Sequence, residues 1–484
     1  MRRTSDNSWQ SGLAAIAVVG GLLLGGCASN VNVREAMQSN PTAAPAVAEA
    51  QLPAQPAQLD DHLLELMNAG DAHRFVGDYD QSFLRFDQAD QIINYWDRQG
   101  RVLEVFENIG ALIANDNIVT YRGYEFEGIL INTYKALNLL ATGDFDGART
   151  EFRRAYERQG QAVRRFEEEI EDALEDRSDL RGPRGQTAER LMRVGGSKLS
   201  ADRIIRDRYR DIDRWSVYEN FVNPFASYLQ GLYYLLYPQD RIDWSSEGSQ
   251  ALRRAYAMVP ENPAVAADLE LIERLADGEL TLAEVPPTTW VFVENGWGPT
   301  LSSQSLPIPL AIDGVSIILP LAFPVYHNGW SVYPFVRVEG PGIGEKTELL
   351  ASIDAVVRAE FRKRLPAIIT RAIVSAALKG AAQYLAFSEG GEWALLIAQA
   401  ASVASAQADT RMWTTLPDEI GVARVATPDN GQLRLLGPQG QSLGTLQLSP
   451  ERFHWVFVRI VEAGQAPRST VITFPEPPLA PAHL

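Results

Sequence analysis

Side chains that bind metals or relay protons are thinly spread along this chain. The five histidines, His62, His73, His327, His454 and His483, occur one at a time, and no two fall a helical turn apart. Zinc-type centres need several such ligands converging, and the single cysteine, Cys27, stands far from all of them in sequence. No protein metal centre and no cofactor is expected. A Gly-x-Ser-x-Gly elbow, which would expose a serine nucleophile, does not occur. The 61 Asp and Glu residues offer so many carboxylate pairs that sequence singles out none, so the chain reads as a non-enzyme. One stretch has the layout of a phosphate loop: a strand-like Trp330–Val338, then Gly340-Pro341-Gly342-Ile343-Gly344-Glu345-Lys346-Thr347. The residue before the lysine must be Gly for backbone N–H groups to wrap a phosphate. Here it is Glu345, and Pro341 removes a donor, so a turn followed by a capped helix is expected instead.

What positions these residues begins with composition. Hydrophobic residues make up 46% of 484, ample for sizeable cores, and the length suggests two or three domains at about 150 residues each. With 44 Lys and Arg against 61 Asp and Glu, the net charge is −17. Nucleic acid and anionic membrane surfaces attract basic patches, so neither is an expected partner.

The N-terminus carries Arg2 and Arg3, then an uncharged run from Gly12 to Gly26 that is too short to span a bilayer. A positive start, a short apolar stretch and small residues at its end mark a secretory signal. Leu24-Gly25-Gly26-Cys27-Ala28-Ser29 resembles the bacterial lipobox. That resemblance implies a signal peptide over 1–26 and diacylglycerol, with palmitate-type acyl chains, on Cys27. Ala28 in place of Asp resembles the outer-membrane sorting pattern, with the protein facing the periplasm. An ordinary signal with an incidental cysteine is the alternative. Cys27 so used leaves no disulfide within the folded part. Residues 27–58, rich in Ala, Pro, Gln and Asn with Pro41, Pro45, Pro53 and Pro56, read as a flexible, extended tether.

From 59 to 282 the pattern is helical and repeats. Gly70, His73, Gly77, Tyr79, Ser82, Phe86 and Ala89 are matched by Ala136, Leu139, Gly143, Phe145, Ala148, Phe152 and Ala155 at a constant offset of about 66 residues. Small and aromatic residues around a turn glycine resemble the tetratricopeptide repeat, with a divergent unit near Ile92–Ile118 and a third copy from Phe225–Tyr237 to Pro263. An unrelated helical bundle is the alternative. A charged insertion at about 157–218 reads as a helical pair with a flexible tip, solvated or docking a partner. Past Glu284-Val285-Pro286-Pro287 the texture becomes strand-like over 288–474, with a helical hairpin inserted at about 348–407 and a disordered tail at 475–484. The predicted fold class is multidomain α+β: a tetratricopeptide-like helical domain followed by a mainly β, sandwich-like domain.

Two strings far apart in the chain carry a further resemblance. Tyr121-Arg122-Gly123-Tyr124-Glu125-Phe126-Glu127, with Ala148–Arg154 after it, precedes Asp409-Thr410-Arg411-Met412-Trp413-Thr414-Thr415-Leu416-Pro417 and Val422-Ala423-Arg424. Behind a lipobox, this order resembles a family of largely uncharacterised bacterial outer-membrane lipoproteins with repeat-type helices, over about 60–470. The family's genes often lie near small lipoproteins related to activators of penicillin-binding proteins, which implies work in the cell envelope. No catalytic residue carries over from it, and Arg411 and Trp413 are expected to fix a helix-to-sheet junction. The expected function is a lipid-anchored periplasmic adaptor that binds envelope proteins in a repeat groove lined by Tyr79, Leu139 and Tyr234. The alternatives are a structural subunit of an oligomeric outer-membrane complex, self-associating through the Ala-rich hairpin, and an envelope enzyme acting on glycan. A buried hairpin and a membrane-touching one are both open.

Overall fold

The computed structural model describes residues 29–54, 61–99, 120–175, 182–212, 218 and 223–476. The expected signal peptide, Cys27, residues 55–58 of the expected tether, most of the expected divergent unit and the tail from 477 lie outside them. The chain is mixed α+β with three sheets.

The helices are α1 (Ser29–Ser39), α2 (Ala44–Glu49), α3 (Leu63–Val76), α4 (Tyr79–Gln99), α5 (Glu125–Thr142), α6 (Phe145–Glu175), α7 (Gly182–Gly195), α8 (Ala201–Arg208), α9 (Pro224–Leu236), α10 (Ser249–Met258) and α11 (Pro263–Ala276). The 66-residue offset is geometrical: α3–α4 and α5–α6 are both antiparallel pairs turning at a left-handed glycine, Gly77 (φ 84°) and Gly143 (φ 88°). That conformation costs a glycine nothing and closes a helix C-terminus. The small position before the turn has its own reason, because a methyl on Gly70 would lie 2.5 Å from the Phe86 ring.

The expected tether is instead folded from residue 29 to 54. Val33 and Met37, one turn apart on α1, and Ala44 and Ala48 on α2 are buried against Ala69, Ala72, Phe75 and Trp297. Glu49 ties α2 down through Arg85 (2.7 Å) and His73 (3.1 Å). Pro41 and Pro45 sit in first helical turns, where a missing N–H costs nothing. Composition suggested loose chain because alanine-rich packing leaves no bulky hydrophobic signature.

Strands β1 (Thr288–Asn295), β2 (Thr300–Ile312), β3 (Val315–His327), β4 (Arg337–Gly340), β5 (Ile343–Lys346), β6 (Glu348–Ser352), β7 (Glu419–Ala426), β8 (Gln432–Leu436), β9 (Ser442–Gln447), β10 (Phe453–Ile460) and β11 (Arg468–Phe474) form three sheets, with α12 (Ile353–Ala404) between β6 and β7. The central sheet runs β11-β10-β1-β7-β6, and β1 is parallel to β10 although antiparallel to β7. Alternation sorts its two faces. Trp290, Phe292, Trp455, Phe457 and Val422 pack on the helices, while Val291, Val293, Val456, Val458 and Val425 pack on the β5-β4-β8-β9 sheet. The helical and strand halves thus share one core.

In the strand half two expected helical starts are replaced by strands, and one strand is new. The Gly-rich stretch 340–347 is the turn and return strand of the β4–β5 hairpin, not a helix entry. Residues 348–352 are strand β6, and the helix begins at Ile353, capped by Ser352. The long strand β2 escaped notice because Ser302, Ser303, Pro307 and Pro309 break its apolar alternation.

Among the described residues, β2 and β3 pair only with each other. Together with α12, α7 and α8 they build a second lobe around Ile317, Leu319, Leu321, Phe361, Ile369 and Leu378. Most of the described part of the charged insertion is therefore docked rather than projecting: Ala188, Leu191 and Ile204 are buried in this lobe. A bridge pairing Trp297 with Trp330 closes the base of the β2–β3 hairpin. The Gly391 backbone (φ 69°, ψ −156°) breaks α12 into two arms, 353–390 and 392–404.

Candidate functional site: the concave helical face and the lobe

Of the residues expected to line a groove, none is fully exposed, and each is engaged by this chain. Tyr234 is fully buried on α9. Leu139 is half-buried against the main core, and the Tyr79 hydroxyl is hydrogen-bonded to Thr470 Oγ1 of β11. The apolar face of the helices is filled by this chain's own aromatics. Trp413 wedges beside Phe86 (5.6 Å between centroids) and Tyr134 (5.9 Å). Phe457 and Phe292 stack on each other at 4.8 Å and meet Phe225 of α9. The repeat pattern reports that these helical faces are apolar and is silent on what covers them.

Beneath this packing runs a buried polar layer. Arg74 of α3 pairs with Glu294 of β1 at 2.9 Å and lies over the Tyr134 ring at 4.5 Å. Arg459 of β10 donates to the carbonyls of Gly296 (2.7 Å) and Thr415 (3.2 Å). Burial lowers its guanidinium pKa. Burial likewise pushes Asp71 up to about 6, against the pull of Arg459 and Arg74. Asp268 of α11, wholly buried, accepts from Tyr228 (2.6 Å), Trp290 Nε1 (2.8 Å) and Arg424 (2.8 Å). Arg74 with Glu294, and Asp268 with Trp290 and Arg424, join helices to the sheet.

The two strings singled out in sequence meet at a buried carboxylate. Glu127, in the first turn of α5, accepts from Tyr124 N (2.9 Å), Trp413 N (2.8 Å) and the Tyr121 hydroxyl (2.8 Å to each oxygen). Burial pushes it up to about 7, and these hydrogen bonds oppose that rise. Arg411 clasps Asp409 through two bonds (2.8 and 2.9 Å) and lies over the Tyr121 ring. Glu360 of α12 accepts from the Glu125 and Phe126 amides at the α5 N-terminus and pairs with Arg364 at 2.7 Å. A helix N-terminus favours such anions. The expected helix-to-sheet junction at Arg411 and Trp413 is thereby assembled, with α12 rooted in it.

No known family model and no curated protein sequence matches this chain.

Two further places have chemical potential. An open cleft of about 440 Å³ is lined by Asp144, Phe145, Asp146, Tyr237, Glu451 and Thr473, with Gly143 and Pro475 at its rim. Asp144 accepts from Gly147 N (2.8 Å) and Asp146 from Gln239 (3.2 Å), so both serve local structure. At the second place, Ser449 Oγ lies 3.2 Å from His454 Nε2. A nucleophile relay needs the base oriented by a third group, and His454 Nδ1 is buried with no partner among the described residues.

Among the described residues, one more feature is left uncovered, and it is apolar. On the second arm of α12, Trp393 is 78% exposed, Leu396 54%, Ile397 69% and Val403 47%. With Ala400, Ala401 and Ala404 they follow a helical period and form one face. The opposite side is fastened to the lobe. Gln399 donates to Ser316 O (2.9 Å), Lys379 to Ser405 O (3.1 Å), and Leu395 packs into the lobe's core. Sequence marked this segment as Ala-rich and close-packing but could not say which of its faces would be left uncovered.

Proposed function

We propose that this protein is a lipid-anchored scaffold of the cell envelope that holds other components through the arm of α12 instead of through a helical groove. The observation that carries this is the uncovered strip of Trp393, Leu396, Ile397 and Val403, whereas the apolar faces of the described helices and central sheet pack on each other in one core. Exposed patches of this kind mark interaction sites. The lipobox at Cys27 supports attachment to the outer membrane on its periplasmic side, and the resemblance carried by the two strings supports protein partners in envelope assembly. The helical pairs are read as divergent tetratricopeptide-type units, and the stacked sheets as a sandwich-like body. The buried carboxylates turn to donors of this same chain, as a structural role requires.

The test has two parts. Cys27→Ser moves the protein from the membrane fraction to the soluble one, or stalls it as precursor, without unfolding residues 61–476. A photo-crosslinking residue placed at Ile397 in cells forms adducts with proteins of the envelope, a second copy of this chain among them, whereas one at Tyr95, exposed on the helical layer, does not. Adducts from Tyr95 and none from Ile397 would sink the reading.

A further inference from the structure

We infer that the apolar strip of α12 seats on the same strip of a second copy, two 392–404 helices crossing antiparallel about a twofold axis. This rests on the scaffold reading and names the occupant of its surface.

Area comes first. Trp393, Leu396, Ile397 and Val403 together leave roughly 500 Å² of side chain in solvent, as much as the largest patch of a typical monomer. Two copies covering each other would bury about 1,000 Å² from these residues alone, the threshold for a specific interface. Charge comes second. From Trp393 to Ala408 no residue is ionisable, and only Glu389 and Glu392 flank the tip. A lipid surface is met by helices with Lys and Arg around an apolar face, which this arm lacks, and the −17 chain is repelled by anionic headgroups. A neutral face on another copy carries no such cost.

Shape is the third argument. Trp393, Leu396 and Ile397 occupy the first half of the helix, and Ala400, Ala401, Ala404 and the smaller Val403 the second. An antiparallel twofold brings Trp393 against the partner's Ala404, Leu396 against the partner's Ala401 and Ile397 against the partner's Ala400. Large meets small along the whole crossing, which an isologous contact requires. Pairing through the lobe's strands is blocked instead. Pro307 and Pro309 interrupt β2, as edge strands do to resist addition. Gln383 occupies the β3 edge by bonding both Ile318 N (3.1 Å) and Ile318 O (2.7 Å).

Oxidative crosslinking in intact cells tests this on the anchored protein. Because Cys27 is the only cysteine, the double variant Ile397→Cys/Ala400→Cys should give a disulfide-linked dimer, and the control Glu389→Cys should not. Light scattering of the lipid-free Cys27→Ser chain should show a dimer whose dissociation constant rises at least 100-fold on Ile397→Glu. Trp393→Ser gives the same shift should the charged variant fold poorly. A monomer at every concentration with no crosslinked dimer overturns the inference. So does flotation of the Cys27→Ser chain with phosphatidylcholine vesicles that Trp393→Ser abolishes. Photo-adducts with other proteins, in the absence of self-crosslinks, would leave the scaffold reading standing and remove only the second copy.

Discussion

Replacing Glu127 should open the junction between helices and sheet, by an amount that follows from its partners. In Glu127→Ala the amides of Tyr124 and Trp413 and the Tyr121 hydroxyl lose their acceptor. Three buried donors at ~1–3 kcal/mol each amount to about 6 kcal/mol. Against this, a carboxyl displaced from 4.5 to about 7 is penalised by roughly 3 kcal/mol when ionised, and the variant escapes that penalty. The net loss is about 3 kcal/mol above pH 7, or ~100-fold faster opening. Amide hydrogen exchange of the peptide holding Trp413, read by mass spectrometry on the full chain, reports it locally, so two-state unfolding of so large a protein need not be assumed. The pH sign is also fixed. A folded pKa above the unfolded one means that the native state holds extra protons between about pH 4.5 and 7. The contribution of Glu127 is complete below that window and is lost as pH rises through it. Glu127→Gln should flatten this part of the profile by about 3 kcal/mol. Unchanged exchange at Trp413 in the Ala variant, with the wild-type pH slope intact, would refute the account.

Two other perturbations follow from buried geometry. Arg74→Met leaves Glu294, 1% exposed, without its 2.9 Å partner, and should cost about 3–5 kcal/mol of stability, seen as a lowered urea midpoint; a shift under 1 kcal/mol would mean the pair is dispensable. Gly391→Ala forces a side chain into φ 69°, ψ −156°, a region essentially confined to glycine, at about 1–3 kcal/mol. Proteolysis should then cut faster around 386–395 while the central sheet keeps its protection, and an unchanged cleavage rate would count against a strained turn.

Much of the strand half was readable because its signals are local. Trp290–Val293, Gln432–Leu436 and Ser469–Phe474 are strand-like in composition, and they lie in β1, β8 and β11. The 66-residue offset was readable because both turns demand a glycine. The strings around Glu127 and Trp413 stood out, but their contact did not, since 286 positions separate the partners. What failed depended on partners remote in sequence. The groove vanished because Trp413 and Phe457 fill it. The tether folded because alanines on α1 and α2 found Ala69 and Ala72. The strip at Trp393 was hidden within a uniformly apolar segment, where period alone cannot distinguish the covered face from the bare one.

The parallel pairing of β1 with β10 has a consequence in time. Everything from the β2–β3 hairpin to β9 lies between these neighbours, and Tyr79 waits for a partner 391 positions later. Loops of this length close slowly, and rates fall as contacts become more distant in sequence. As the chain is synthesised, α3 to α6 emerge with an apolar face that α9 covers only in part until Trp413 and β10 arrive. The Pro286-Pro287 junction that divides the sequence therefore divides nothing in folding. A nascent chain stopped there is an exposed hydrophobic surface, and the helical half depends on whatever shields it until the last strands are made.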